Sequence, residues 1–434
     1  MDLNKYTLLE SKFTVNYPTN NHATYSSLLN YSNDLKKPFQ RWCRYKEGFS
    51  KDFVKQIINE YKNDDCLNIL DPFAGSGTTI LTANEMGFNG YGFEVNPFSY
   101  FLMKVKQTYY SDNDVKLFKE AYENILNSLE NNQFEDYKLP ELSFSNKVFQ
   151  QEVEKYMMSC KVKILKLQES KIKDLLFLGW LSCIEELSVY RKAGNGLKFR
   201  KTVKPIILNK DSVITKLKKQ FINMYEDILM SKDSGQHSNN IFNETSIDFS
   251  RKIETETING IIFSPPYANC FDYTEIYKLE LWFGDFVKSY EDIKKLRSNS
   301  LKSHLNRDYS KENKVANSKI LNELIEEVKK SKLWAKKIPY MLNGYFLDMF
   351  NILDNCYKTL KKNGFCAIVV GNSAYGGIVI PTDLILSEYA ESIGFKVDKI
   401  EVDRYIITSS QQYEKTKNLG KYLRESVVCL KKIN

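Results

Sequence analysis

Histidine is scarce: three residues in 434, at 22, 237 and 304. None stands at a ligand spacing from another His or Cys, so all three read as surface residues rather than metal ligands. The eight cysteines, at 43, 66, 160, 183, 270, 356, 366 and 429, form no C-x-x-C pair. That argues against a zinc site and a disulfide framework, and reads as a reduced, cytoplasmic chain. No run approaches the roughly 18 apolar residues of a membrane span, and residues 1–25 are polar with no apolar core of signal-peptide length. No repeat of about 20–50 residues recurs, which speaks against a solenoid. A strong charge of one sign is also missing: 62 basic and 54 acidic residues leave +8, which permits a polyanionic partner without requiring one.

What is present alternates. Runs rich in β-branched residues at 66–70, 90–95, 260–263, 366–370, 396–402 and 426–430 are strand-like. Helical patterns lie between most of them, one after Thr78 and another over about 339–360. Strand–helix alternation predicts an α/β fold with a parallel sheet and crossover helices. Two stretches break it. Residues 111–240 are long and mostly helical in pattern with a basic centre, and 289–337 is charged with little apolar periodicity before Ile320. Both read as insertions. The expected organisation is thus 1–110, an N-terminal segment and first half of the core; 111–240, a helical insertion; and 241–434, the second half of the core, interrupted at about 289–337.

Residues 67–79, Leu-Asn-Ile-Leu-Asp-Pro-Phe-Ala-Gly-Ser-Gly-Thr-Thr, spell a strand, a tight turn and a helix start. Glycines 75 and 77 let backbone approach a ligand, and the helix N-terminus offers free N–H groups. No lysine follows Gly77, so this is not a phosphate-binding Walker loop, and the G-x-G-x-x-G spacing of dinucleotide sites is absent. Asp71 at the strand end would repel a pyrophosphate but attract the ammonium and sulfonium charges of S-adenosylmethionine. About 20 residues on, a second strand ends in Glu94, the spacing at which a doubly wound sheet binds ribose hydroxyls. Asp71, Pro72, Phe73, Gly75, Gly77 and Thr78, with Glu94 and Asn96, are the candidate cofactor residues.

A further strand runs into Ser264-Pro265-Pro266-Tyr267. Two prolines fix the strand end in an extended conformation. There the Ser264 hydroxyl and Pro265 carbonyl can accept from an amino group, Pro266 holds the rim, and Tyr267 can stack on an extruded base. Cys270 lies nearby, but transfer to an amino group needs no thiolate, so no role is assigned to it. The glycine-rich loop 371–377 sits at the expected ligand edge, where a base contact and simple turn geometry explain it equally.

These two motifs together resemble the amino-group (N4-cytosine / N6-adenine) DNA methyltransferases of restriction–modification systems. The resemblance covers about 45–100 and 242–281, with weaker likeness from 344 onward. It implies a Rossmann-like S-adenosylmethionine-dependent fold: a seven-stranded, mostly parallel sheet whose last strand, near 424–431, is antiparallel. Residues 45–50 resemble the segment that closes over the methionine moiety, making Phe49 a cofactor candidate. Glu244 stands where relatives carry an acid for the adenine. Target recognition is implied in the middle of the chain, where Arg191, Lys192, Asn195, Lys198, Arg200 and Lys201 suit double-stranded DNA. Lys302, Arg307, Lys311 and Lys314 of the second insertion form a weaker basic group. Ser before Pro-Pro-Tyr favours cytosine N4 over adenine N6. The remaining alternatives are an RNA amino methyltransferase and a DNA-binding homologue without catalysis. No metal is needed, and a separately encoded endonuclease is a partner the resemblance suggests.

Overall fold

The structure is a computed structural model and describes residues 3–18, 28–29, 31–46, 48–63, 67–194, 196–200, 207–231, 240–309, 314–406 and 414–433. In chain order the strands are β1 (Val15–Asn16), β2 (Asn68–Asp71), β3 (Asn89–Phe93), β4 (Tyr190–Ala193), β5 (Gly196–Phe199), β6 (Asn240–Phe242), β7 (Ile258–Phe263), β8 (Leu360–Gly371), β9 (Ser373–Tyr375), β10 (Ile378–Ile380), β11 (Phe395–Tyr405) and β12 (Arg424–Lys432). Eight of them form one sheet in the order β1-β11-β12-β8-β7-β2-β3-β6. β12 runs antiparallel between β11 and β8, and the other pairings in the sheet are parallel. The central strand β7 is buried at every residue, as expected of a parallel strand covered on both faces.

The sheet has eight strands rather than the expected seven. The extra member is β1, which adds Val15 opposite Ile400 at one edge. A two-residue strand carries no periodicity, so sequence pattern could not reveal it. From β2 the chain steps outward to β3 and β6, then returns to the other side of β2 as β7. That reversal creates a crevice beyond the carboxyl ends of β2, β3 and β7, the place where doubly wound sheets bind ligands.

The 111–240 segment contributes the helices Asp112–Glu130, Gln151–Leu165, Lys171–Leu187 and Lys210–Met230. They enclose Phe118, Trp180 and Phe221, and the same apolar core continues through Phe98, Tyr277 and Trp282 of the sheet-bearing part. Arg41 and Trp42 both reach the buried Asp227 carboxylate, at 2.6 and 2.8 Å. The insertion is therefore fused to the core rather than hung from it. Its basic centre is not helical: β4 and β5 form an antiparallel hairpin pairing Tyr190 with Phe199 around Gly194.

Residues 289–337 hold two helices, Tyr290–Asn299 and Lys319–Lys330. The second buries Leu321, Leu324, Ile325 and Val328, a one-sided helical stripe that packs on the long Ile338–Thr359 helix. Among the described residues no helix is long and apolar enough to cross a membrane.

Candidate active site

The three strand ends meet around a cleft. At the end of β2 the Asp71 carboxylate accepts from the Phe73 N–H at 2.9 Å and the Thr79 hydroxyl at 2.7 Å. At the end of β3 the two oxygens of Glu94 accept from the N–H groups of Gly75 and Asn96, at 2.8 and 2.7 Å. Both acids thus shape the glycine turn, and each carboxylate keeps lone pairs for a ligand. Burial pushes both up to about 7, Asp71 with a further contribution from nearby Glu94. Asp71 is buried and Glu94 partly so, and neither has a basic partner among the described residues, which suits a cationic ligand that would hold them ionised.

Gly75 takes φ of +53°, and a Cβ there would come within 3.0 Å of the Tyr45 ring. Tyr45 itself stacks on Tyr277 with ring centroids 5.1 Å apart. The turn is a cradle that a side chain would fill. Phe49, Pro72 and Phe73 line the same cleft, as do Thr78 and Asn96. Asn96 also caps the helix Pro97–Gln107 through the N–H groups of Phe98 and Ser99. Gly77 starts the helix Thr78–Glu85 and is not itself in the wall. Glu244 is not in the wall either: it pairs with Lys252 at 3.0 Å, and its neighbours Thr245 and Ser246 face the cleft instead.

β7 delivers Ser264 and Pro266 to that cleft, while Pro265 is buried behind them. Ser264 and Tyr267 also line a second, smaller hollow with Lys46, Asn269, Phe271 and the hairpin residue Gly194. The hydrogen bonds here have a direction. Tyr267 donates to Glu425 at 2.7 Å, and Glu425 is paired with Arg404 at 2.6 Å. Ser264 in turn donates to the Tyr267 oxygen at 3.4 Å. With its proton so directed, the Ser264 oxygen keeps its lone pairs for an incoming donor. The Tyr267 ring lies 2.7 Å from where a Cβ on Gly371 would be, so the start of the 371–377 loop has to be glycine for the ring to sit there.

Cys270 is a poor nucleophile. Burial pushes its thiol up to about 11, and its sulfur lies 3.4 Å from the Tyr375 hydroxyl.

A family model described as DNA methylase, of the N6/N4 methyltransferase type, matches residues 18–104. The type II methyltransferase M.AvaI of Nostoc sp. is 29% identical over 403 residues, covering 86% of this chain and 83% of that protein. M.BsoBI of Geobacillus stearothermophilus is 29% identical over 458 aligned positions, covering 93% and 88%. Over most of its length this chain is similar to type II methyltransferases, and over residues 18–104 to the N6/N4 DNA methylase family. S-adenosylmethionine is its cofactor, in keeping with the cleft's acids and glycine cradle. M.MjaII of Methanocaldococcus jannaschii matches more locally, 34% over 83 residues, 19% of the methyltransferase described here and 15% of its own length.

The basic residues of the methyltransferase's hairpin divide. Arg191 and Lys198 are exposed. Lys192 is not available to a phosphate: its side chain is 5% exposed and its ammonium is 2.6 Å from the buried Glu280 carboxylate. Arg200 is spent within the protein, donating to the carbonyls of Tyr190 and Glu185. Asn195 and Lys201 lie outside the described residues, as do His22, His237 and Lys311. In the second insertion Lys302 pairs with Asp348 at 2.9 Å, and Arg307 donates to the Ser300 carbonyl at 2.8 Å.

The sequence reading missed the other wall of the cleft. Asp272, Tyr273 and Thr274, then Leu296, Ser300 and His304, also line it. His304 is 3% exposed, not a surface residue. Only the apolar stripe after Ile320 hinted that this charged segment packs inward.

Proposed function

We propose that the protein transfers a methyl group from S-adenosylmethionine to the exocyclic amino group of a flipped base in double-stranded DNA, with cytosine N4 the acceptor in preference to adenine N6. The observation that carries this reading is the placement of Ser264 on the wall shared by the large cleft and the smaller hollow. A group held in one hollow faces a group held in the other across that residue. Type II methyltransferase names among the long-matching relatives support DNA as the substrate.

When bound, the cofactor supplies an electrophilic methyl on a sulfonium. This chain's residues do the rest. Asp71 and Glu94 attract the cationic ligand, and Tyr45 and Phe49 cover it. The Ser264 oxygen and the Pro265 carbonyl accept from the amino group and turn its lone pair toward the methyl, while Tyr267 offers a ring face to the base. Holding the two partners in line supplies much of the acceleration. The proton lost from nitrogen leaves after transfer, and no covalent intermediate on the protein is required. The exposed Arg191 and Lys198 carry contacts to the DNA backbone.

Nucleoside analysis of DNA from a host expressing the protein tests the reading. It should yield N4-methylcytosine. N6-methyladenine would change the acceptor but keep the chemistry, and 5-methylcytosine would overturn both.

A further inference from the structure

Residues 329–337, at the end of the second insertion, read Lys-Lys-Ser-Lys-Leu-Trp-Ala-Lys-Lys: five lysines and no acid. From 331 to 336 exposure alternates. Leu333 and Ala335 pack on the apolar core, and the Ser331 hydroxyl donates to the Val328 carbonyl at 2.7 Å. Lys332, Trp334 and Lys336 therefore stand outward on a segment anchored from beneath. Trp334 is 70% exposed, whereas Trp42, Trp180 and Trp282 are fully buried. Tryptophan is usually well buried, and at the surface it is enriched in binding faces.

The charge on this face is not neutralised from the preceding helix. Lys330, Lys332 and Lys336 are exposed, and the two acids nearest in sequence, Glu326 and Glu327, are already paired with Lys329 and Lys5. Lysine and tryptophan side chains donate hydrogen bonds and accept none. A donor-only face with an apolar indole at its centre fits an acceptor-rich polyanion that also carries apolar sugars, the backbone of DNA.

One hairpin joins this face to the smaller hollow. Ser331 lies so close to Gly376, in the turn between β9 and β10, that a Cβ there would meet its hydroxyl at 1.9 Å. One residue back, the Tyr375 hydroxyl donates to the Ala268 carbonyl at 2.6 Å and lies 3.4 Å from the Cys270 sulfur. Asn269, between those two residues, lines the hollow with Ser264 and Tyr267. Lys415, exposed as well, packs against the next turn residue, Gly377. We propose that Lys332, Trp334 and Lys336 form a second DNA contact, which grips the backbone of the duplex flanking the target base. The lysines meet phosphates, and the indole lies against deoxyribose with its N–H on a phosphate oxygen. The inference rests on DNA being the substrate and on the hollow receiving the flipped base.

The test is acrylamide quenching of tryptophan fluorescence in the full chain, free and saturated with a duplex that carries the methylation site mapped in host DNA and long flanks. With the other three tryptophans buried, Trp334 supplies the quencher-accessible emission, and Trp334→Phe should remove it. The long duplex should shield Trp334 and lower the quenching constant several-fold, and cutting both flanks back to the site should restore the exposure. Lys332→Gln together with Lys336→Gln should lower the log–log salt slope of DNA binding by about two, close to one per lost phosphate contact. Trp334 as open to acrylamide with the long duplex as without it, or an unaltered slope in the double variant, overturns the proposal. Shielding by phosphatidylserine vesicles but not by DNA would overturn it in favour of a membrane surface. A wild type that binds no DNA would instead sink the reading on which the proposal rests.

Discussion

The segments 111–240 and 289–337 both interrupt the sheet and both carry many lysines and arginines, but they stand differently to the site. The first builds a thick helical core and lifts a hairpin toward the smaller hollow, where Lys46 donates to the Gly194 carbonyl at 2.8 Å. In the second, Lys302 pairs with Asp348 of the following helix, and Leu296, Ser300 and Leu301 line the large cleft. Charge density alone therefore says little about where an insertion acts. What matters is which charges are already paired: Lys192 and Lys302 are, whereas Arg191 and Lys198 remain on the surface.

The sharpest way to break this contrast is to treat the hairpin's lysines as equivalent. Lys192→Ala leaves Glu280 buried without its cation, and should cost about 3–5 kcal/mol of stability in urea unfolding. A change within half a kilocalorie, roughly that of an ordinary surface substitution, would return Lys192 to the DNA-facing set. Neutralising Arg191 and Lys198 together should leave stability alone. It should lower the log–log salt slope of DNA binding by about two, close to one per lost phosphate contact. An unaltered slope would move the DNA face elsewhere. Cofactor binding should behave in the opposite way, since the second insertion presents neutral groups: affinity should hardly vary with salt but should rise a few-fold as pH increases through about 7. The sign follows from the two acids. With burial raising both, the protonated free form is favoured below about 7, and ionisation above it creates the negative charge a cationic cofactor needs. By the same linkage the free protein gains stability from these groups below their unfolded range, about pH 4, and loses it as pH climbs through about 7. Calorimetry across pH 6–8 on wild type and Asp71→Asn, whose profile should be flatter, checks the assignment.

The glycine turn and the Pro-Pro strand end were legible because their constraints are local. Asp71, Gly75 and Glu94 lie on or just after short apolar strands, and the Pro-Pro pair declares a rigid strand end. The helices Thr78–Glu85 and Ile338–Thr359 and the antiparallel β12 followed from pattern and resemblance. Long-range pairing was not legible. Nothing near Tyr267 announces Glu425, 158 residues away, and nothing near His304 announces the cleft. The hairpin was missed because eight strand residues around Gly194 were read with the helices flanking them, although Gly-Asn-Gly between alternating residues is a turn signal. Glu244 was expected in the cleft, but it pairs with Lys252, and the residues after it, Thr245 and Ser246, face the cleft instead.

The central claim is that Ser264 acts as an acceptor for the substrate amino group. Single-turnover methylation by Ser264→Ala, with saturating cofactor and DNA, tests it most directly. Both affinities should stay within a few-fold of wild type, while the rate falls by about 100-fold or more, as for loss of one pre-organised transition-state contact. A Ser264→Ala enzyme that binds both ligands and methylates at the wild-type rate would contradict the account.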